Sequence, residues 1–160
     1  MKPKKKVYLE STIPSYLVSR PSRDLIVAGH QQITEDWWTN RRNSFELYIS
    51  PFVVDEISMG DRIVSQKRLT LVEGIPELII NDSVQELAAG LVSSRAIPKK
   101  APQDAAHIAV ATVHSMDYLL TWNCIHLANA EIIPLVRKVC LSHGFECPQI
   151  CTPEELMGVK

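Results

Sequence analysis

Four polar side chains, Glu10, Glu56, Asp104 and Asn123, fall where an α/β chain builds chemistry. Glu10 closes a short β-rich run over residues 5–10 (KKVYLE), and Asn123 ends a predicted strand over 118–122 (YLLTW). Glu56 sits on the second turn of a helix that starts at Pro51, and Asp104 opens a helix of small and apolar residues over 104–113. Asp55 and Glu56 point about 100° apart, so only one of them can face a shared site. Clustered carboxylates raise one another's proton affinity unless a cation neutralises them. Oxygen-only ligands point to magnesium or manganese. Such ions commonly serve phosphoryl chemistry by activating water and clamping the leaving oxygen. His107 shares a helix face with Asp104, three residues earlier. It reads either as a supporting group or as a core histidine bonded to a neighbour. Each acid taken singly is also readable as an ordinary surface group, and Asp104 as an early-turn acid favoured by the helix dipole. The joint order of the four is what points to a site.

Positioning those residues falls to an alternation of strands and helices. Ser11-Thr12 are cap-type residues ahead of a short helix over 13–18, with Pro14 in its first turn. Ser22 is the expected cap of a long helix over 23–40. A second strand is predicted over 45–50 (FELYIS), with Ser50 as cap and Pro51 opening the next helix. Asp61 opens a helix to about residue 73, and 76–80 (PELII) reads as a third strand. Asp82 or Ser83 caps the helix that follows. Pro102 suits the first turn of the helix carrying Asp104. A helix over 131–143 stops at Gly144, and 148–151 is a predicted edge strand. The alternation predicts an α/β fold, a three-layer α/β/α arrangement around a mostly parallel sheet of four to five strands. Sites in such sheets lie at the carboxyl ends of strands, which puts Asn123 in a functional place and Asp117, at a strand start, on the wrong edge.

At 160 residues the chain suits one domain, 1–160, without an internal linker or repeat. Net charge is −1, so no overall field drives it to nucleic acid or a membrane. No apolar run reaches the length of a membrane span, and the basic residues Lys2, Lys4, Lys5 and Lys6 are not followed by a leader-type core. A cytoplasmic location is expected. Cys124, Cys140, Cys147 and Cys151 fit no zinc spacing well and read as buried free thiols in a reducing compartment. A metal site from Cys124 and His126 is the weaker alternative. Trp37-Trp38 reads as packing before base stacking.

The order VYLEST, VVDEI, QDAAHIAVATVHSMDYLLTWN and HLAN resembles the PIN-domain family of metal-dependent ribonucleases, which includes the toxin halves of toxin–antitoxin pairs. The resemblance spans residues 7–129, and QDAAHIAVATVHSMDYLLTWN is its most specific part. By this resemblance the catalytic and metal-binding set is Glu10, Glu56, Asp104 and Asn123. Ser11 and Thr12 match the hydroxyl residues after the first acid, and Thr121 a polar residue beside the fourth position; His107 is a supporting residue. Glu10 stands where the family usually has Asp, and Asn123 where it often has Asp.

The implied cofactor is Mg2+ or Mn2+, as one or two ions. The implied reaction is in-line hydrolysis of an RNA phosphodiester, leaving a 5′-phosphate and a 3′-hydroxyl. Glu10 and Asp104 would hold the principal ion, with Glu56 a further ligand or a guide for the nucleophile. Asn123 and Thr121 would hold a water or the scissile phosphate. RNA is the expected substrate, steered by basic residues such as Arg20, Arg41, Arg42, Lys99 and Lys100. An antitoxin protein and a homodimer, through helix 23–40 or helix 61–73, are the expected partners. Two rivals stand beside this reading. One is a catalytically weakened PIN-like module that binds RNA or protein without cutting. The other is a small-molecule enzyme on a flavodoxin-like sheet, disfavoured because no Gly-rich loop follows the first strand.

Overall fold

Val7, Tyr8 and Leu9 are completely buried, so the first strand is covered on both faces and its apolar run does not alternate. It lies inside a four-stranded sheet in the computed structural model, which describes residues 2–159. The elements follow the order β1 (Lys5–Leu9), α1 (Thr12–Val18), α2 (Leu25–Asn40), β2 (Phe45–Tyr48), α3 (Pro51–Ile57), α4 (Arg62–Val72), α5 (Asp82–Ser93), α6 (Pro102–Val113), β3 (Tyr118–Leu120), α7 (Ile133–Ser142) and β4 (Gln149–Cys151). The strand order is β2-β1-β3-β4 and every pairing is parallel. Parallel neighbours need crossover connections, and the helices supply them.

Helix α5 packs on α6 and α7, and α1 on α2 and α4, while α3 touches both α4 and α6. The result is an α/β fold consistent with three α/β/α layers. A contiguous cluster of buried side chains runs from Val7 to Leu156 and includes Ile108, Ala109, Val110 and Ala111 of α6. That explains the apolar composition of α6: it is walled in along most of its length.

Several local expectations are corrected. Residues 76–80 form no strand; Glu77 makes a single isolated parallel bridge to Ile49. Pro76 has no N–H to donate and contributes only its carbonyl, to Ile49 N at 3.0 Å. The helix expected from 23 starts at Leu25, capped by Asp24, whose Oδ1 accepts from the amides of Ile26 and Val27. A carboxylate outcompetes the Ser22 hydroxyl, which accepts from Asp24 N instead. Asn81 caps α5, ahead of Asp82 and Ser83. Of the four cysteines, all free, Cys140 and Cys151 are buried, Cys147 is half-buried and Cys124 is exposed, because it sits in the loop after β3. Trp37 is buried and bonds the Leu156 carbonyl at 3.2 Å, so it packs. No helix among the described residues is long and apolar enough to cross a membrane.

Candidate functional site

Glu10 follows β1 directly, and its amide donates to the Leu120 carbonyl of β3 at 3.0 Å. The sheet pairing therefore continues into the site and fixes the Glu10 backbone. Its carboxylate is almost wholly buried. Oε1 accepts from Thr12 Oγ1 at 2.6 Å, Thr121 Oγ1 at 2.6 Å and the Thr12 amide at 3.2 Å. The two threonines are themselves anchored. Trp122 N donates to Thr12 Oγ1 at 2.9 Å and Asn123 N to Thr121 Oγ1 at 2.9 Å. A buried carboxylate is costly without donors or a cation, and these hydroxyls supply part of that compensation.

Glu56 reaches the same place from α3. Its Oε1 accepts from Ser11 Oγ at 3.1 Å and bonds His107 Nε2. Asp55, one residue earlier, is exposed, as the 100° offset requires. Ser11 and Ser50 occupy cap positions of α1 and α3, yet neither side chain bonds its own helix. Ser11 serves Glu56, and Ser50 Oγ lies 2.7 Å from Tyr8 Oη. Tyr8 Oη in turn lies 2.6 Å from His107 Nδ1. A buried chain of contacts thus runs Ser50–Tyr8–His107–Glu56. Tyr8 and Ser50 were not legible as site residues. Tyr8 reads as a strand aromatic and Ser50 as a cap, and only the tertiary fold diverts their hydroxyls.

His107 is completely buried on α6. Burial works against its charge, but the Glu56 bond and the charges of Glu10, Glu56 and Asp104 outweigh it and raise its pKa above the ordinary value. Burial pushes the Glu56 carboxyl up, but the His107 bond and charge and the Ser11 hydroxyl hold it net below its ordinary value. Burial, reinforced by the charges of Glu10 and Glu56, holds the Tyr8 phenol well above its usual value despite the Ser50 bond.

Asp104 lies one turn before His107, at the start of α6, and its Oδ2 pairs with His126 Nδ1 at 2.8 Å. Asn123 sits beyond the end of β3. Its Oδ1 accepts from the amides of Ile125 at 3.2 Å and His126 at 3.0 Å, so that oxygen shapes the loop that brings His126 to Asp104. Among the described residues, no lysine or arginine forms an ion pair with Glu10, Glu56 or Asp104; the imidazoles of His107 and His126 pair with Glu56 and Asp104. Arg41 and Arg42 lie just before β2, at the opposite edge, with their guanidinium groups over Phe45 and Trp38. Lys99 and Lys100 are exposed in the loop that leads into α6.

One carboxylate oxygen from each of Glu10 and Glu56, together with a His107 ring nitrogen, lie within 4.8 Å of one another. Trans ligands of a small octahedral ion stand about 4.2 Å apart, so a slight side-chain adjustment brings this set onto one ion. Two carboxylates without a lysine or arginine partner are a donor set that fits a divalent cation. No family model and no curated protein matches the chain.

Proposed function

We propose that the protein is a metal-dependent endoribonuclease hydrolysing RNA phosphodiester bonds, with Glu10 and Glu56 as its acidic centre and Asp104, paired with His126, beside it. One observation carries the reading. Glu10 and Glu56, from the ends of different strand–helix units, bring carboxylates to within ion-sharing distance while no lysine or arginine among the described residues pairs with them. The PIN-domain resemblance of the chain supplies the reaction class. Mg2+ or Mn2+, when bound, would supply electrostatic activation of water and stabilisation of charge on the phosphate. Thr12 and Thr121 hold the Glu10 carboxylate in place, and Ser11 and His107 hold Glu56. Asp104 and His126 form a second polar pair at the mouth of α6, where a phosphate approaching Lys99 and Lys100 would meet them.

Purified protein incubated with several RNAs and Mg2+, Mn2+ or chelator tests the reading. Divalent-dependent cleavage that disappears in Glu10→Gln and Asp104→Ala is expected; cleavage that persists in both variants sinks it. Occupation of Asn123 Oδ1 by two backbone amides favours a second reading, a site that binds RNA without cutting it. RNA retention without products, unaffected by chelator, would select that one. An antitoxin partner and a homodimer belong to the same proposal, the latter favoured by exposed Leu25 and Ile26 on α2 and Ile63 on α4. A monomer in light scattering would reject the homodimer. Four free cysteines fit a reducing, cytoplasmic setting.

A further inference from the structure

Nitrogen, as well as oxygen, lines the carboxyl edge of the sheet. His107 stands among the carboxylates of Glu10 and Glu56 at ligand spacing. Its ring is buried on α6, with Phe52 edge-on to it at 6.3 Å between centroids. Nδ1 is occupied by Tyr8 Oη, which is occupied in turn by Ser50 Oγ. A ring that donates Nδ1–H to Tyr8 Oη, with Tyr8 donating to Ser50, presents the Nε2 lone pair toward the two carboxylates. Metal-ligating histidines are held by an outer partner on the far nitrogen in this way. Imidazole suits zinc, iron and nickel best; manganese shares magnesium's preference for carboxylates but, as a first-row transition ion, accepts a nitrogen more readily than magnesium does.

We propose that His107 Nε2 is a third ligand at the Glu10–Glu56 site, which makes it a mixed nitrogen–oxygen centre that takes Mn2+ in preference to Mg2+. This rests on the reading above that the edge holds a divalent ion. Tyr8 and Ser50 are then positioning residues that fix the ring's tautomer and orientation. In the metal-free protein Nε2 bonds Glu56; the entering ion takes the place of the Nε2 proton, which leaves to solvent.

Pulsed electron paramagnetic resonance of the full chain loaded with Mn2+ alone tests the ligand directly. Modulation from a directly bound imidazole nitrogen is expected, retained in His126→Gln and lost in His107→Gln. Displacement of bound Mn2+ by Mg2+ should show manganese held at least about tenfold more tightly, with the ratio falling toward unity in His107→Gln. Should His107→Gln fail to fold, Tyr8→Phe keeps the ring packed but removes the partner of Nδ1. It should weaken Mn2+ binding by roughly 10–100-fold. Mn2+ bound without nitrogen modulation overturns the assignment, as does modulation lost in His126→Gln but kept in His107→Gln. Equal affinity for the two ions overturns the preference. RNA cleavage is scored separately. Cleavage without nitrogen modulation removes His107 as a ligand and leaves the nuclease reading standing. Modulation without cleavage keeps the ligand and removes the nuclease. No Mn2+ binding at all removes the ligand assignment, and the nuclease with it when Mg2+ supports no cleavage either.

Discussion

The two edges of the sheet handle acids in opposite ways. At the amino edge Asp117 meets Lys5 at 3.5 Å and caps the Lys6 amide at 2.8 Å, in a partly exposed position. A cavity of about 730 Å³ opens beside it, lined by Thr112, Asp117, Arg137, Glu146 and Gln149 among others. At the carboxyl edge Glu10 and Glu56 have no lysine or arginine partner among the described residues and are held by hydroxyls and a buried histidine. The edge that carries this cavity is thus the one whose acid already has a lysine partner. Cavity size follows where loops leave space, whereas a buried carboxylate needs donors or a cation, and here hydroxyls and an imidazole meet it.

The sharpest way to break this contrast is Glu10→Gln. If the carboxyl edge is the working one, divalent-dependent RNA cleavage falls beyond the roughly 10–100-fold typical of losing an outer partner. Unchanged cleavage rates would end the distinction between the edges. Next comes Thr121→Val, which removes one hydroxyl from Glu10 Oε1. A loss of about 10–100-fold in metal affinity or cleavage is expected, measured by calorimetry and RNA turnover.

A third test uses pH on the metal-free protein. Glu56 has a folded pKa below its ordinary 4.5, so its contribution is present above that value and lost as pH falls through the lowered one. His107 has a folded pKa above its ordinary 6.5, so its contribution is full below 6.5 and lost as pH rises through the raised value. Urea midpoints with chelator, from about pH 3 to about pH 9, should plateau between 4.5 and 6.5 and fall on both sides. Midpoints that keep rising above neutral pH would contradict the sign for His107. The smallest effect belongs to the amino edge. Asp117→Asn keeps an acceptor for the Lys6 amide and loses only an exposed ion pair, so it should cost about 0.2–1 kcal/mol in chemical denaturation. Cleavage should not change.

Much of this contrast could be read in the residues before any coordinates. β1, β2 and β3 carry apolar or aromatic runs, and Pro51 and Pro102 mark helix starts, so the residues alone put Glu10 after a strand and Glu56 and Asp104 on helices. Asp117 at a strand start was correctly separated from Asn123 at a strand end. Hydroxyl partners were less legible. Ser11 and Ser50 have the composition and position of caps, and local pattern cannot say that a carboxylate or a phenol will engage their hydroxyls instead. The pairing of Asp104 with His126 spans 22 residues and depends on a loop turned by Asn123 Oδ1, a choice no periodicity records. Residues 76–80 have strand composition, but one bridge to Ile49 is all that Pro76 and a short β2 allow.

The bond from Glu10 N to Leu120 O also governs when this pocket comes into being. Trp122 N must find Thr12 Oγ1 across 110 residues, and Thr121 must find Glu10 across 111. A nascent polypeptide that has exposed only its first hundred residues holds the early acids but not the segment that aligns them. Contacts so distant along the chain close late. During synthesis, then, the acids stay chemically unassembled until Trp122 has left the ribosome, and a product truncated before it would carry the carboxylates without the geometry.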